Sequence, residues 1–388
     1  MREPSQKNEV RVGFLMQNPA MWGNVCPVYE RMRERDGIRV FGFVLPGYEG
    51  DGYGKYHEYD REREYFHQRY GDEVTDVLDE NGRVIDLDPY GLDYMFYQRP
   101  YEDHRPEELR AAVVSRKMKT CYIPYGYNGL ERFERYAIAQ RDFFSHLYFC
   151  FADSARAEGI FNRAYREGYH WGEKRFLFLG YPPIERALLA KRKKKEGRKR
   201  LLWMPRWTVE DGHFLEYREK FLELGEEFPE LDLAIRPHPL LFDNLRRRGL
   251  FTPEERRDFE REMASRQVLM DRNMLIEDTF AETDILLTDF SSSVLLFFLT
   301  GNPVIYCASP EEMNVDYKRT AEGMYLAEDW EKIKYYIAML MECEDHLKER
   351  RGEIISHFWQ ENMGATDRII DAIIDDYQKR IDLCARYS

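Results

Sequence analysis

The sequence predicts an α/β protein made of two Rossmann-like domains that face each other across a cleft. Short apolar runs alternate with longer, charged amphipathic stretches along the chain. This alternation is typical of strands and helices in an open parallel sheet. The apolar runs are nearly continuous, as expected for strands that are buried on both faces. One basic block interrupts the alternation and predicts where the chain divides.

The predicted strands are the apolar runs themselves, and the stretches between them are predicted as helices. The strands are expected at 10–16, 39–45, 94–97, 120–123, 147–152, 176–179, 201–204, 231–235, 285–287 and 304–307. Two of the clearest amphipathic stretches, 216–228 and 253–265, predict helices. Each half of the chain therefore carries its own series of strands and helices.

The domain boundary is predicted at the basic block, after the turn Gly180-Tyr181-Pro182-Pro183. We expect an N-terminal domain at 1–187, a solvated basic linker at 188–200 and a nucleotide-binding domain at 201–360. A C-terminal helix at 361–388 is expected to pack back on the junction. The basic linker also suits anionic lipid headgroups, so a membrane surface is a candidate partner.

The overall charge and the cysteine pattern narrow the classes of protein. The 388-residue chain has a formal net charge of −13, which disfavours binding to a nucleic-acid backbone. Its six cysteines are scattered without a C-x-x-C pair, a pattern typical of a reducing cytoplasm. The polar first residues predict no secretory leader, and no apolar run reaches the ~20 residues of a membrane span.

A first candidate site follows the strand predicted at 231–235. Arg236-Pro237-His238-Pro239 stands just past its carboxyl end, where ligands bind in open α/β sheets. The guanidinium of Arg236 offers a planar fork for phosphate oxygens. His238 can donate hydrogen bonds and titrates near neutral pH. Taken alone, the segment is more typical of a strand-end turn whose His is satisfied by backbone groups.

A second candidate site follows the strand at 285–287. Thr288-Asp289-Phe290 leads into three serines, Ser291, Ser292 and Ser293, and a helix is expected to begin within them. Serine is a preferred helix N-cap, and the first amides of a helix bind anions. One cap needs one serine, so three in a row favour a phosphate site. Together with Arg236 and His238 they predict a clamp for a diphosphate.

These motifs, in their order along the chain, resemble those of the CDP-glycerol glycerophosphotransferase family, which includes teichoic-acid polymerases and primases. The family has an R-P-H-P-like strand end, then D-x-x-x-T-D-Y-S-S, then a K-P turn; here these are 236–239, 284–292 and Asn302-Pro303. Further matches are 201–208 with A-P-T-W-R, 179–183 with G-x-P-R-N-D, and 362–368 with D-G-x-x-S-x-R. The resemblance covers roughly residues 90–375.

The resemblance implies a fold of the GT-B type and a transferase reaction. A hydroxyl of a cell-wall or capsule polymer precursor, or of a lipid-linked acceptor, would attack the β-phosphorus of CDP-glycerol or a related CDP-alditol and release CMP. Arg236, His238, Asp289 and Ser291 to Ser293 are then expected to bind the donor diphosphate. Arg206, which follows the strand at 201–204, could reach the same pocket or be a surface arginine. No permanently bound cofactor is expected, and the sequence shows no metal-ligand cluster, so any divalent ion would have to arrive with the donor diphosphate.

The sequence departs from the family where the acceptor would be activated. The family's H-G-T-P-L-K segment, whose His is the expected general base, corresponds to 119–128, with Tyr125 near the position of the His. An unperturbed tyrosine is a poor base at neutral pH. His104, Asp103 and His238 are the candidate replacements. Trp22 and Asn24, in the loop after the first strand, are predicted to shape the acceptor site. Leu296 replaces a family Asp, so the transferred group could differ from glycerol.

Three other functions remain open at the level of sequence. One is a GT-B glycosyltransferase that uses a CMP- or UDP-linked sugar. A UDP-sugar epimerase is the second. The third is a nucleotide-binding homologue that has lost catalysis, which the missing family His suggests. The predicted location is the cytoplasm, with peripheral association at the inner face of the plasma membrane.

Overall fold

The computed structural model describes residues 9–45, 59–165, 174–190 and 197–386. The chain forms two compact units. The first unit comprises Met1–Asn128, Arg132–Arg186 and Glu361–Ser388, and the second comprises Gly129–Glu131 and Ala187–Gln360. Most of the predicted basic linker, 191–196, lies outside the described residues. Its first residues end a helix and its last two begin a strand.

The first sheet has seven parallel strands. They are β1 (Val10–Met16), β2 (Ile38–Val44), β3 (Val74–Asp76), β4 (Tyr94–Tyr97), β5 (Lys119–Tyr122), β6 (Phe149–Phe151) and β7 (Arg175–Leu177). Their order in the sheet is β3-β2-β1-β4-β5-β6-β7. The helices along this part of the chain are α1 (Cys26–Arg33), α2 (Tyr59–Tyr70), α3 (Ala111–Val114), α4 (Glu131–Ala139), α5 (Arg141–Phe144), α6 (Ala155–Ala164) and α7 (Pro182–Leu189).

The second sheet has six parallel strands. They are β8 (Lys199–Met204), β9 (Leu231–Ile235), β10 (Leu269–Met270), β11 (Ile285–Thr288), β12 (Val304–Tyr306) and β13 (Tyr325–Leu326), in the order β10-β9-β8-β11-β12-β13. Its helices are α8 (Phe214–Glu227), α9 (Leu241–Arg247), α10 (Pro253–Ser265), α11 (Ile276–Ala281), α12 (Val294–Phe298), α13 (Val315–Ala321), α14 (Trp330–Met341) and α15 (Lys348–Asn362). The last helix of the chain, α16 (Ala365–Arg386), belongs to the first unit.

The predicted fold class, two parallel α/β sheets of Rossmann type, is confirmed. Each of the ten predicted runs contains a strand, and helix α10 has the predicted bounds. The sequence did not predict β3, β10 and β13, which have only two or three residues each. No helix in the described ranges has the length and apolar character needed to cross a lipid bilayer.

Both sheets reverse their strand order at one point, between β1 and β4 in the first and between β8 and β11 in the second. At such a switch point the connections leave in opposite directions, and a crevice opens beyond the carboxyl ends of the two strands. The first crevice is bordered by Gln17 and Gln98, and the second by Arg206 and Asp289. The topology therefore makes these residues candidates for ligand binding.

Aromatic packing stabilises both sheets close to these switch points. In the first sheet the rings of Phe14 and Phe96 stack at 4.8 Å between centroids across the β1–β4 pair. In the second, Trp203 of β8 is fully buried and packs on Phe214 and Phe221 of α8. Buried aromatic pairs contribute about 0.5–1.5 kcal/mol beyond the burial of their area. The strands that carry the crevices are thus rigidly supported.

Helix α16 returns the chain to the first sheet through one buried carboxylate. Asp376 accepts hydrogen bonds from Lys119 Nζ, Tyr94 Oη and Tyr148 Oη, each at 2.6 Å. These partners belong to the amino-terminal ends of neighbouring strands. Although burial alone would raise it, the pKa of Asp376 is lowered by these hydrogen bonds. Near the start of α16, Arg368 donates to the carbonyl of Leu179 at 2.7 Å.

We expect Asp376→Ala to lower the free energy of unfolding by about 3–5 kcal/mol, because it leaves the buried ammonium of Lys119 without its counter-charge. Asp375→Ala is the matched control, since that side chain is exposed one position away on α16. Urea unfolding followed by circular dichroism measures both. Equal, small effects of the two substitutions would contradict the anchoring role of Asp376.

Candidate functional site

The carboxylate of Asp289 organises the carboxyl edge of the second sheet. The residue follows β11 and is fully buried. Its Oδ2 accepts from the backbone amides of Arg206 at 3.0 Å and His213 at 3.3 Å. Its Oδ1 accepts from His213 Nδ1 at 2.5 Å and from Cys307 Sγ at 3.3 Å. Asp289 was predicted to bind the diphosphate; with both oxygens occupied and no exposed surface, it acts instead by holding its neighbours.

The loop between β8 and α8 is wound tightly around Arg206. The guanidinium donates from Nε to Thr208 Oγ1 at 2.5 Å and from Nη1 to the carbonyl of Phe290 at 3.2 Å, and Nε lies 3.0 Å from Asp211 Oδ1. A Cβ at Gly212 would lie 2.3 Å from the carbonyl oxygen of Thr208, so this turn requires glycine. Arg206 is buried, so the alternative prediction that it is a surface arginine is wrong.

His213 stands at the end of the same loop, directly before α8. Its Nδ1 faces Asp289, and its ring stacks on Tyr217 with centroids 5.0 Å apart and planes 11° from parallel. The side chain is 27% exposed. The hydrogen bond to Asp289 raises the pKa of His213, and burial opposes this only in part. The sequence did not single out this residue.

His238 follows β9 and lies close enough to Arg206 for the guanidinium charge to act on it. Burial and then the charge of Arg206 lower the pKa of His238 to about 4. Its Nδ1 accepts from the backbone amide of Leu240 at 3.2 Å, so the neutral ring carries its proton on Nε2. At neutral pH His238 is therefore an uncharged hydrogen-bond donor. This state suits contact with an anion better than the predicted role of general base.

Arg236 is held in place by the loop that follows β10. Its Nη1 pairs with Asp271 and also donates to the carbonyl of Asn273 at 2.9 Å and to Thr279 Oγ1 at 3.1 Å. Asp271 in turn accepts from Thr279 Oγ1 at 2.7 Å. Part of the charge of Arg236 is thus already neutralised by a carboxylate. Its predicted contact with a diphosphate stays a prediction.

The three serines form a turn before α12, and none of them is a side-chain cap of that helix. Ser291 Oγ and Ser293 Oγ are 2.8 Å apart, and the amide of Ser293 donates to Ser291 Oγ at 3.3 Å. Ser293 is the N-cap position but makes no side-chain capping bond, and α12 has only five residues. Ser292 is exposed. The predicted phosphate site at these serines therefore depends on their hydroxyl groups more than on a long helix.

Cys307, Asp289 and His213 form a hydrogen-bonded cluster at this edge. Their ligand-type atoms lie within 4.8 Å of one another, a spacing that a metal ion could also use. However, Cys307 Sγ donates to the carbonyl of Thr288 at 3.1 Å, and burial raises the pKa of the thiol well above its usual value. A protonated thiol is a poor metal ligand. The cluster therefore fits the sharing of protons better than the binding of a metal.

Gln98 has the same position at the switch point of the first sheet as Asp289 has at the switch point of the second sheet. Gln98 follows β4 and is fully buried. Its Oε1 accepts from the amides of Gln17 at 2.9 Å and Asn18 at 2.7 Å, and its Nε2 donates to the carbonyl of Asn18 at 2.6 Å. Gln17 Nε2 donates onward to the carbonyl of His104 at 2.8 Å. This edge is organised by neutral amides rather than by a carboxylate.

The predicted bases of the first unit are near one another but differ in environment. His104 Nδ1 lies 3.2 Å from Arg99 Nη1, which is always a donor, so the neutral ring of His104 carries its proton on Nε2. Asp103 is exposed, with its carboxylate 3.8 Å from His104 Nε2. Tyr125 Oη is 2.6 Å from Tyr101 Oη, and its own side chain is half-buried. The roles of these residues in catalysis stay predictions.

Trp22 and Asn24 are structural residues, which corrects the prediction that they shape an acceptor site. Trp22 is 1% exposed, and its indole N–H donates to Tyr70 Oη at 2.8 Å within an aromatic cluster. Asn24 is equally buried and donates from Nδ2 to the carbonyls of Ile123 at 2.8 Å and Gln98 at 3.3 Å. The position after the first strand suggested an open loop, but both side chains point into the protein.

The comparison with known families settles the relationship of the chain. The model of the CDP-glycerol:poly(glycerophosphate) glycerophosphotransferase family matches residues 144–375, which include the whole of the second-sheet edge described above. The chain belongs to this family. It is therefore a transferase of the glycerophosphotransferase type, as the ordered motifs indicated. No curated protein sequence matches it significantly.

Solved structures with the same fold include enzymes of two activities. A UDP-GlcNAc 2-epimerase from Neisseria meningitidis is 12% identical, with a TM-score of 0.62 over 95% of this chain and 100% of its own. The wall teichoic acid polymerase TagF is 14% identical, with a TM-score of 0.56 over 97% and 91%. A structure of TagF soaked with CDPG is 14% identical, with a TM-score of 0.54 over 97% of this chain and 91% of its own. At this identity the likeness concerns the fold alone.

Two residues of this glycerophosphotransferase that organise or occupy the crevices escaped the sequence analysis. His213 belongs to no quoted motif; only its place, seven residues after Arg206 in a Gly-containing loop, could have indicated it. Gln98 directly follows the strand predicted at 94–97, a position that does not by itself reveal its role. In both cases the deciding signal is a hydrogen-bond partner distant in sequence, which spacing does not show.

His213 and His238 should titrate on opposite sides of the ordinary histidine pKa. In ¹⁵N-histidine NMR spectra we expect His238 to titrate near pH 4 as the Nε2–H tautomer, because burial and Arg206 disfavour its charged form. His213 should stay protonated above pH 6.5, because Asp289 favours its charged form. Spectra of His238→Gln and His213→Gln assign the signals. Midpoints near 6.5 for both rings would contradict the described environments.

Proposed function

We propose that this protein transfers a phospho-alditol, glycerol phosphate or a close relative, from a CDP-activated donor to a hydroxyl of a cell-wall or capsule polymer precursor. The acceptor hydroxyl attacks the β-phosphorus, and CMP leaves. The single observation that carries the proposal is the family match over 144–375, which spans β8 to β12 and both predicted diphosphate motifs. CDP-glycerol is the donor expected from the family, and TagF, a neighbour in fold, is named as a teichoic acid polymerase.

The chemistry of the second-sheet edge supports a diphosphate donor. Charge builds on the diphosphate as CMP departs, and groups fixed in advance stabilise such charge most effectively. His238 offers an Nε2–H without a charge, and the buried guanidinium of Arg206 supplies positive potential beside it. The hydroxyls of Ser291 and Ser293 are further donors within one turn. Asp289 keeps the loop that carries Arg206 in place.

For the first unit we propose an acceptor role centred on the tyrosine pair Tyr101 and Tyr125. Their two hydroxyls, 2.6 Å apart, can donate to and accept from an alditol hydroxyl at once. In the arrangement described, His104 uses its unprotonated nitrogen toward Arg99, so it must change partner before it can act as a base. Asp103 is the exposed carboxylate beside it and the simpler candidate for receiving the proton.

The proposed location is the cytoplasm, where the scattered cysteines would stay reduced. A polymer or lipid-linked acceptor would bring the enzyme to the inner face of the plasma membrane. The basic run at 191–196, which lies outside the described residues, is the segment proposed to meet anionic headgroups there.

A screen of nucleotide donors tests the proposed function. Thermal-shift measurements with CDP-glycerol, CDP-ribitol, CMP-sugars and UDP-sugars should show stabilisation by the CDP-alditols, because binding to the folded state alone raises the melting temperature. CMP release with a glycerophosphate-primed acceptor should follow. Stabilisation by UDP compounds alone would contradict the proposal, and CDP-alditol binding without CMP release would indicate a homologue that has lost catalysis.

We expect His238→Ala to lower kcat/KM by an amount equivalent to a loss of about 2–4 kcal/mol of transition-state stabilisation. The reason is that the variant has no Nε2–H to contact the departing diphosphate. His346→Ala is the control, since that side chain is 67% exposed and outside the site. Steady-state CMP release measures both variants. A change within twofold for His238→Ala would exclude the contact.

A further inference from the structure

His213 presents one nitrogen that the fold does not use. Its Nδ1 is committed to Asp289, whereas Nε2, on the opposite side of the ring, has no hydrogen-bond partner among the described residues. The side chain is 27% exposed, so Nε2 can meet a ligand. The ring is fixed by stacking on Tyr217 and by the tight turn at Gly212. A positioned, accessible N–H donor thus stands at the switch point between β8 and β11.

The groups around this imidazole favour its charged form. The charged and titratable groups that face it come from every neighbouring element: Asp289 after β11, Glu216 and Tyr217 on α8, Asp211 and Arg206 in the β8–α8 loop, and Cys307 after β12. Three of these groups are carboxylates, and the nearest is fully buried. A buried carboxylate on one nitrogen, with the other nitrogen exposed, favours the charged form of the imidazole.

His213 and His238 therefore have pKa values shifted in opposite directions at the same sheet edge. Burial and the charge of Arg206 lower the pKa of His238 to about 4, whereas the hydrogen bond to Asp289 raises the pKa of His213. The positive charge needed by a leaving phosphate dianion is supplied most directly by His213. Serine hydroxyls and a neutral imidazole can only contribute dipoles. Arg206 uses Nε toward Thr208 in its own loop and Nη1 toward the carbonyl of Phe290 after β11.

On the basis of the proposed function, we propose that His213 is a catalytic residue that donates a hydrogen bond from Nε2 to the phosphate of the departing CMP, with Asp289 as its positioning residue. In the transfer step the acceptor oxygen forms a bond to the β-phosphorus. The bond from that phosphorus to the bridging oxygen breaks, and its electron pair stays on the oxygen of CMP. The acceptor proton passes to the general base and then to solvent, and His213 keeps its own proton throughout.

The balance of charge explains why a cation is useful at this position. A CDP-alditol carries two negative charges; the products are a phosphodiester with one and CMP with two, and one proton is released. The increase is on CMP, whose second ionisation lies near pH 6. The imidazolium of His213 meets that dianion in a charge-assisted hydrogen bond, which is about twice as strong as a neutral one. Above its raised pKa the ring loses the charge, and the benefit disappears.

Kinetics of three variants test the catalytic role. His213→Ala should lower kcat about 100-fold or more with little change in KM, because the contact is made mainly after the bond begins to break. Added imidazole should restore part of the rate to this variant. His213→Gln should keep an N–H donor but lose the alkaline limb of the pH profile. Asp289→Asn should move the alkaline limb of the pH profile to lower pH. His346→Gln is the control and should resemble the wild type, because that side chain is exposed and lies outside the site.

Calorimetric binding of CMP tests the same contact without any acceptor. The affinity of the wild type should rise above pH ~6 as CMP becomes a dianion, and then fall about tenfold as His213 loses its proton. His213→Gln should show the rise and not the fall. If the wild type binds CMP in this way but releases none from CDP-glycerol, the proposed transfer fails while the His213 contact stands.

Two results would overturn the inference. One is a His213→Gln variant whose CMP affinity falls at alkaline pH as the wild type's does. The other is a His213→Ala variant with kcat within threefold of the wild type. Absence of CMP binding by the wild type would overturn both this inference and the proposed function. Circular dichroism spectra and melting temperatures of the variants, compared with the wild type, separate loss of the contact from loss of the fold.

Discussion

The carboxylate of Asp289 is the interaction on which the second sheet's edge depends. It is fully buried, and it accepts two backbone amides, one imidazole and one thiol. A buried charge is stable only when hydrogen bonds and a counter-charge replace its hydration. Here the ionisable partner is His213, whose charged form the carboxylate favours and whose amide and ring it holds. The same carboxylate also fixes the loop that brings Arg206 to the edge, so Asp289 positions both Arg206 and His213.

The two crevices of this glycerophosphotransferase are built alike and differ in charge. Gln98 bridges β4 to the residues after β1 as Asp289 bridges β11 to the residues after β8. A neutral amide satisfies backbone groups without requiring a cation beside it. A carboxylate favours one, and here it holds His213, whose charged form it stabilises. The shared Rossmann topology defines the two crevices, and this single difference in residue type gives one edge a neutral amide and the other a carboxylate paired with an imidazole.

Much of the fold could be predicted from the sequence, because parallel strands buried on both faces are read as apolar runs. The strands that escaped, β3, β10 and β13, lie at or toward the sheet margins and are too short to form a pattern. Arg206, His238 and the serines could be located because they follow strands directly. Their roles could not, because these depend on partners such as Leu240 for His238 and Asp271 for Arg236.

The errors have a common physical source. Trp22 and Asn24 looked like loop residues open to a ligand, yet both side chains are buried and donate hydrogen bonds to groups distant in sequence. His213 was overlooked for the opposite reason: its significance comes from Asp289, and no local motif contains both. Polar residues near strand ends thus serve either to hold the edge or to present donors from it. Hydrogen-bond partners and exposure distinguish the two, and a sequence shows neither.

A structure of the enzyme with CDP-glycerol bound tests the central claim most directly. We predict that the diphosphate lies at the carboxyl ends of β8 and β11. The Nε2 atoms of His238 and His213 should both be at hydrogen-bond distance from phosphate oxygens. We also predict that Asp289 keeps its present partners. A diphosphate bound elsewhere, or bound at this edge with neither histidine in contact, would contradict the claim.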